Sequence, residues 1–390
     1  MEEEQVGEGN IEDYLTPKEL LASHFAIPET LQEKKLTFDE ASKGLNTLGK
    51  DESGVRYAYL MMTLTEKKLT DISIIANFKH LLFVDLSGNL LNLEALEVLT
   101  QLPFLIFLKA ERNRIESASL QCMPYLQVLI LNKNQITETG GLNQPLLETL
   151  ELSDNSIYTA QFEPEKLSKL KVLSMSGNHL IDASGTYPTG LEKLFLGNNN
   201  ISRINLDLSK LKNLKYLHLR DNNIRKLSGF TEQLSQLTYL NLRNNKINKI
   251  RQFRKLDCLP NLETIIVIEN PACRKKDERD EDVEDEEHED EIYGEEGAPS
   301  VDKTRLALLV LLPNLKRIDK EIVTAEEREA ALLKKRQITE EIFEEDSSED
   351  ETEVPTTTDL TTEFTTETEI DYDLPRPKPT EVRGENESDN

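Results

Sequence analysis

Nine asparagines return through this 390-residue chain at intervals of 21 to 25 residues: Asn89, Asn113, Asn134, Asn155, Asn178, Asn199, Asn222, Asn245 and Asn270. A carboxamide donates and accepts hydrogen bonds without carrying charge, so a buried one can satisfy backbone groups on two sides at once. An aspartate in its place would bury charge, and a leucine would leave those groups unpaired. The chemistry these side chains offer is therefore structural hydrogen bonding, and no ligand is assigned to them.

The asparagines need an element that buries them, and the surrounding residues supply it. Each closes a frame of spaced leucines, as in "LLFVDLSGN" (81–89), "LQVLILNKN" (126–134), "LKYLHLRDN" (214–222) and "LTYLNLRNN" (237–245). A degenerate frame precedes them in "YLMMTLTEKKLTDI" (59–72), with Lys67 at the asparagine position. A leucine frame at this period is the signature of a solenoid. The predicted fold is α/β, a leucine-rich repeat solenoid. Each frame gives one short parallel strand, and the chain then turns sharply away through the asparagine. Longer coils continue with apolar residues at helical spacing, as in Ile201, Ile204, Leu208, Leu211 and Leu214, which predicts a helical turn on the convex side. Shorter coils carry "TGGLNQP" (139–145) or "ASGTYPTG" (183–190), which read as turns.

A coil cannot bury its apolar face alone, so the ends must be capped. Threonine with glutamate three residues on marks helix starts at 16–20, 37–40 and 324–327. The chain accordingly divides into an acidic N-terminal extension (1–36), an N-terminal cap (37–58) with a helix over 37–49, and repeats (59–273). An acidic insertion (274–300), a C-terminal repeat cap (301–322), a helix (323–344) and an acidic Thr-rich tail (345–390) follow. The formal charge of −27 is uneven: residues 277–296 carry −13, residues 340–390 carry −16 and residues 2–13 carry −6, leaving +8 elsewhere. Segments of that composition bury too little apolar area to fold alone and are expected to be disordered. The serines of "EEDSSEDETE" (344–353), Ser347 and Ser348, fit an acid-directed kinase.

No catalytic or metal constellation is legible. The histidines at 24, 80, 179, 218 and 288 and the cysteines at 122, 258 and 273 show no ligand spacing. No phosphate-binding glycine loop and no nucleophile elbow occur. The expectation is a non-enzyme without cofactor, metal, small-molecule substrate, nucleic acid or membrane partner. The start "MEEEQVGEG" has no signal-peptide character, which predicts a cytoplasmic protein with reduced thiols.

What remains for function is the sheet. Residues alternating with the leucines project from its concave face. One row reads Phe83, Phe107, Val128, Val172, Tyr216 and Tyr239; the next includes Asp85, Lys109, Ile130, Glu151, Phe195, His218, Asn241 and Ile266. A third holds Glu111, Asn132, Arg220, Arg243 and Ile268. Aromatic residues and arginines are enriched in binding hot spots. Phe83, Phe107, Ile130, Phe195, Tyr216, His218, Arg220, Tyr239 and Arg243 are therefore the candidate protein-binding residues, with His218 read as an outward-facing surface residue. Acids lie early and arginines late, so charge could orient a partner.

The repeats resemble the leucine-rich class typified by a yeast phosphatase regulator. The segments "LTFDEASKGLNTLGK", "FVDLSGN", "PYLQVLILNKNQIT", "LHLRDNNIRKLSGF" and "LPNLKRIDKE" are closer to the leucine-rich repeat-containing protein 23 family. That likeness covers roughly residues 37–340 and includes irregular turns such as "TETGGL" (137–142). The acidic run and the Thr-rich tail depart from the family pattern. The resemblance implies a structural subunit of the radial spoke in motile cilia and sperm flagella, at the third spoke near its head. It implies protein partners, namely other radial spoke subunits within a large axonemal complex, a place in the cytoskeleton of the axoneme and a role in flagellar motility. The residues also leave open a regulator that binds a protein phosphatase, and an acidic nuclear protein that binds histones.

Overall fold

The computed structural model describes residues 33–51, 53–205, 210–273 and 302–347. The expectations for the helix start at 16–20, the acidic run 277–296, Ser348 and the Thr-rich tail fall outside them. Two units are distinguished: Met1–Glu344, which holds the whole solenoid, and Glu345–Asn390, described only where a helix ends at Ser347.

Strands of three residues recur once per coil. They are β3 (Phe83–Asp85), β4 (Phe107–Lys109), β5 (Val128–Ile130), β6 (Thr149–Glu151) and β8 (Val172–Ser174), then β10 (Lys193–Phe195), β11 (Tyr216–His218), β12 (Tyr239–Asn241) and β13 (Thr264–Ile266). All pair parallel in register. The middle residue of each triplet is buried, from Val84 and Leu108 to Leu240 and Ile265. With β1 (Leu45–Lys50), β2 (Tyr57–Thr63), β14 (Arg317–Ile318) and β15 (Glu321–Ile322) they form one 13-stranded sheet.

The asparagines lie stacked behind this sheet, all between 0 and 9% exposed. Each amide spans two coils. Asn178 Nδ2 donates to Met175 O of its own coil at 3.0 Å and to Leu152 O of the preceding coil at 2.9 Å. Its Oδ1 accepts the Ile157 N–H at 3.0 Å. The same triad recurs at Asn89, where Oδ1 accepts the Leu69 N–H, and at Asn270, where it accepts the Ile247 N–H. The residue before each asparagine adopts a left-handed backbone, with φ between 50° and 71° from Gly88 through Arg112, Lys133, Asp154, Gly177, Asn198, Asp221 and Asn244 to Glu269. This turns the chain so that the next side chain points inward. It also aims the left-handed residue's N–H at the following coil, as in Asp154 N to Ser176 O at 2.8 Å.

Behind the ladder, short helices fill the wider coils, among them Ser73–Asn77, Leu93–Glu97 and Ile250–Leu256, the last with Phe253 fully buried. Whether Leu208 lies in such a turn falls outside the described residues. The "ASGTYPTG" segment is not turn alone. Gly185–Thr186 (β9) pairs parallel with Ala160–Gln161 (β7) in a second sheet. A side chain at Gly185 would meet Ala160 O at 2.2 Å, so this approach requires glycine. A second buried amide, Gln144, accepts the Met123 N–H and donates to Gln121 O, both at 2.9 Å.

Both ends differ from the sequence-based outline. The first helix is Phe38–Gly44, opened by reciprocal Thr37–Glu40 hydrogen bonds, and it does not reach residue 49. Residues 45–50 instead form β1, antiparallel to β2. At Gly44, the helix's last residue, a Cβ would sit 2.9 Å from Thr63 O, so the chain comes hard against the first coil where it passes into β1. At the other end the chain turns back after Ile318 into the β14–β15 hairpin, and the Val323 N–H returns to Lys316 O, so no residue follows Asn270 in the ladder. Asp319, at that turn, covers the last full coil instead, its Oδ1 accepting the Val267 and Ile268 N–H groups at 2.6 and 3.1 Å. The helix outlined over 323–344 is two helices, Ala325–Leu333 and Lys335–Ser347. Arg305, in the helix Lys303–Leu311, fixes the first of these. Its guanidinium donates to both oxygens of Glu327 at 2.7 and 3.2 Å and to Ile318 O at 3.0 Å.

Replacing Asn178 by leucine is expected to orphan two carbonyls and one N–H and to cost at least about 3 kcal/mol. Urea unfolding measures this against Asn200→Ala, an exposed neighbour expected to change stability by less than about 0.5 kcal/mol. Equal effects at the two sites would refute the ladder's role.

Candidate protein-binding face

The strand registers set the face. Phe83, Phe107, Val128, Thr149, Val172, Lys193, Tyr216, Tyr239 and Thr264 form one row across the sheet, and Asp85, Lys109, Ile130, Glu151, Ser174, Phe195, His218, Asn241 and Ile266 the next. Because side chains alternate along a strand, the leucines between these rows point to the core and the rows point away from it.

The nine candidate residues fall into two groups on this face. Phe83 and Phe107 meet with ring centroids 6.3 Å apart, and Ile130 lies on the adjacent strand. Three strand steps beyond Ile130, about 14 Å away, a larger group begins. Phe195 lies 4.7 Å from His218, His218 lies 4.8 Å from Tyr239, and Tyr239 lies 5.7 Å from Tyr216. Lys193 Nζ sits 5.3 Å above the Tyr216 ring, within cation–π range. Arg220 and Arg243 border this group, Arg220 beside Asp221 at 3.6 Å and Arg243 paired with Glu269.

Beside the first group the same coils carry a polar network, which reaches Glu151 on the next strand. Lys109 Nζ is 3.0 Å from Glu111. Asn132 Nδ2 donates to Glu111 at 3.0 Å and to Glu151 at 2.8 Å. Burial raises the pKa of Glu111, but the Lys109 and Asn132 contacts outweigh it and hold the carboxyl below its ordinary value. Early strands thus present Asp85, Glu111 and Glu151 around a single Lys109, and late strands present aromatic rings and cations.

Three residues depart from the outward-facing description. His218 is half-buried between rings, and burial, helped by Arg220, lowers its pKa from 6.5 to about 4. It is a neutral aromatic member of the stack near pH 7. Asn241 is only 7% exposed, and its Oδ1 accepts the Arg243 N–H at 3.0 Å, so it supports the face from beneath. Ile266 is likewise buried.

Nothing in this arrangement is built for covalent chemistry. Among the described residues no group of three or more His, Cys, Asp or Glu could hold a metal ion, and no helix is long and apolar enough to cross a membrane. Cys122, Cys258 and Cys273 are free, and burial pushes the Cys273 thiol up to about 12. What the face offers is rigid aromatic area bordered by charge, which suits binding of another polypeptide.

Because the folded pKa of His218 is depressed, its contribution to stability is complete above pH 6.5 and is lost as the pH falls toward 4. The His218→Phe variant, which cannot charge, is expected to lose less stability than the parent chain over that window in parallel urea titrations. Identical pH profiles would show that the imidazole is not held neutral.

Known proteins match along the same residues. The model of the leucine rich repeat family fits residues 189–247 and 212–270. The chain is similar to leucine-rich repeat-containing protein 23 of Homo sapiens, 36% identical over 315 residues, which are 80% of this chain and 83% of that protein. The Bos taurus protein of the same name is 35% identical, covering 76% of this chain and 78% of its own. The Xenopus tropicalis protein is 38% identical, covering 75% and 76%. With identity at that level sustained along the solenoid, the chain belongs to the leucine-rich repeat-containing protein 23 family.

Proposed function

We propose that this protein is a non-enzymatic structural subunit of the axonemal radial spoke, at the third spoke near its head. It would work in motile cilia and sperm flagella and support beating by holding other spoke subunits. The supporting observation is the likeness to one family over 80% of the chain, rather than over a few generic repeats. The solenoid is a protein-binding scaffold in form, and its face carries the residue types that such a role uses. The group of Phe195, Tyr216, His218 and Tyr239 is the proposed center of the contact, with Arg220 and Arg243 at its rim. The Phe83–Phe107 pair and Ile130 would engage a second point of the same partner. The acids of the early strands would fix the partner's direction, since like charges brought together disfavour the reversed orientation.

The proposal predicts that the protein stays with axonemes after detergent extraction and is recovered with spoke subunits once the spokes are released by salt. In that material the double variant Tyr216→Ala, Tyr239→Ala is expected to reduce co-recovery at least about tenfold, as truncation of hot-spot residues does. Recovery wholly in the detergent-soluble fraction of motile cells would refute the spoke assignment. Unchanged co-recovery of the double variant would leave the spoke role standing and remove this face as the contact. Enrichment of a phosphatase catalytic subunit in place of spoke proteins would favour the regulator reading.

A further inference from the structure

A second basic surface lies away from the sheet face. Apart from Arg243, which borders that face, residues 222–256 hold seven lysines and arginines and one acid, Glu232. Just past the ladder, successive coils stack through Asn223 N to Ile201 O at 2.8 Å, Lys246 N to Ile224 O at 2.9 Å and Ala272 N to Ile247 O at 2.9 Å. Those contacts put Ser202, Arg225, Asn248 and Cys273 in one column and Arg203, Lys226 and Lys249 in the next. Arg203, Arg225 and Lys226, with Asn205 and Asn223, line a groove of 580 Å³. Lys246 and Lys249 extend the basic surface from that groove toward Cys273.

The same column is where the chain leaves the solenoid. The run 277–296, of net charge −13, begins four residues beyond Cys273, and Cys273 is two coils from Arg225, about 10 Å away. The 28 residues between Cys273 and Asp302 are ample to reach back across the three coils that bear the groove.

We infer that the basic flank is a docking surface for an acidic polypeptide and that its resident occupant is this chain's own acidic run, residues 277–296. Charge complementarity selects the occupant. The tether supplies it at an effective concentration in the millimolar range, which a free acidic peptide would have to exceed. Carboxylates of the run pair with the guanidinium and ammonium groups of the groove in multiple, exchangeable ways, because neither side presents a single fixed geometry. The consequence is that the flank of a strongly acidic chain is shielded from other polyanions until something displaces the run.

Zero-length carbodiimide coupling of the full chain tests this, since it joins only lysines and carboxylates in direct contact. The expected joints link Lys226, Lys246 or Lys249 to acids within 277–296, with a yield unchanged on tenfold dilution and lost at about 0.5 M salt. Joints confined to other acids would overturn the inference. So would a yield that falls with dilution, which would assign the flank to a second copy. As a second measurement, the full chain with its acids at 277–296 changed to asparagine and glutamine is expected to bind a polyglutamate probe about tenfold more tightly than the parent. Adding Arg225→Gln and Lys226→Gln to that variant should abolish the gain. Equal affinity of parent and neutralised chain for the probe would likewise overturn it.

Discussion

The structure depends on one repeated interaction: a buried carboxamide that belongs to one coil and satisfies the backbone of two. Asn222 donates to Leu219 O in its own coil and to Leu196 O in the coil before, and accepts the Ile201 N–H of that earlier coil. Without it, the turn that follows each three-residue strand would strand polar groups in the core, at about 1–3 kcal/mol each. Leucine burial alone cannot specify such a turn, because it is non-directional. The amide supplies the direction. Since every asparagine reaches across to its neighbour, stability resides in pairs of coils rather than in any single one.

That coupling also decides what the outer face looks like. A ladder that holds neighbouring strands in register holds their side chains in straight rows. The pattern of residue types along a row then becomes a pattern in space. Phe195 and His218, at corresponding positions, touch, and Tyr239 meets His218 across the diagonal, because the strands cannot slip. The polar network of the early coils is organised in the same way, with Asn132 bridging carboxylates from the coils on either side of its own. The asymmetry of the face, acidic early and basic late, is thus a property of the sequence that the ladder converts into geometry.

The repeat, its strand register and the burial of all nine asparagines were legible because they express one periodic pattern. The left-handed column was not. The residue before each asparagine is glycine only at 88 and 177, and elsewhere Arg112, Lys133, Asp154, Asn198, Asp221, Asn244 or Glu269. No shared residue type announces the conformation; the neighbouring coils impose it, against a local cost of about 1–2 kcal/mol per residue. The strand Leu45–Lys50 was hidden for a related reason. Its sequence continues a helical start, and its pairing with β2, which comes from the neighbouring coil, is what the local sequence does not show. Rows on the face could be read from alternation, but the environment of His218 could not, because it is made by Phe195 and Tyr239 from other coils.

The ends of the solenoid show what happens when the repeating interaction has no next coil. At the N-terminal end Asn89 serves the coil that carries Lys67, and the sheet is closed by antiparallel β1. At the C-terminal end the chain folds back in the β14–β15 hairpin, and ionisable groups cover the last coil. Asp319 accepts two backbone N–H groups, and burial raises its pKa in spite of them. Arg305 and Glu327, 11 and 15% exposed, then fasten the closing helix to the same edge. Where the ladder ends at Asn270, charged contacts cover the last coil. Buried charges tolerate the loss of a partner poorly, so this edge is as dependent on single side chains as the ladder it closes.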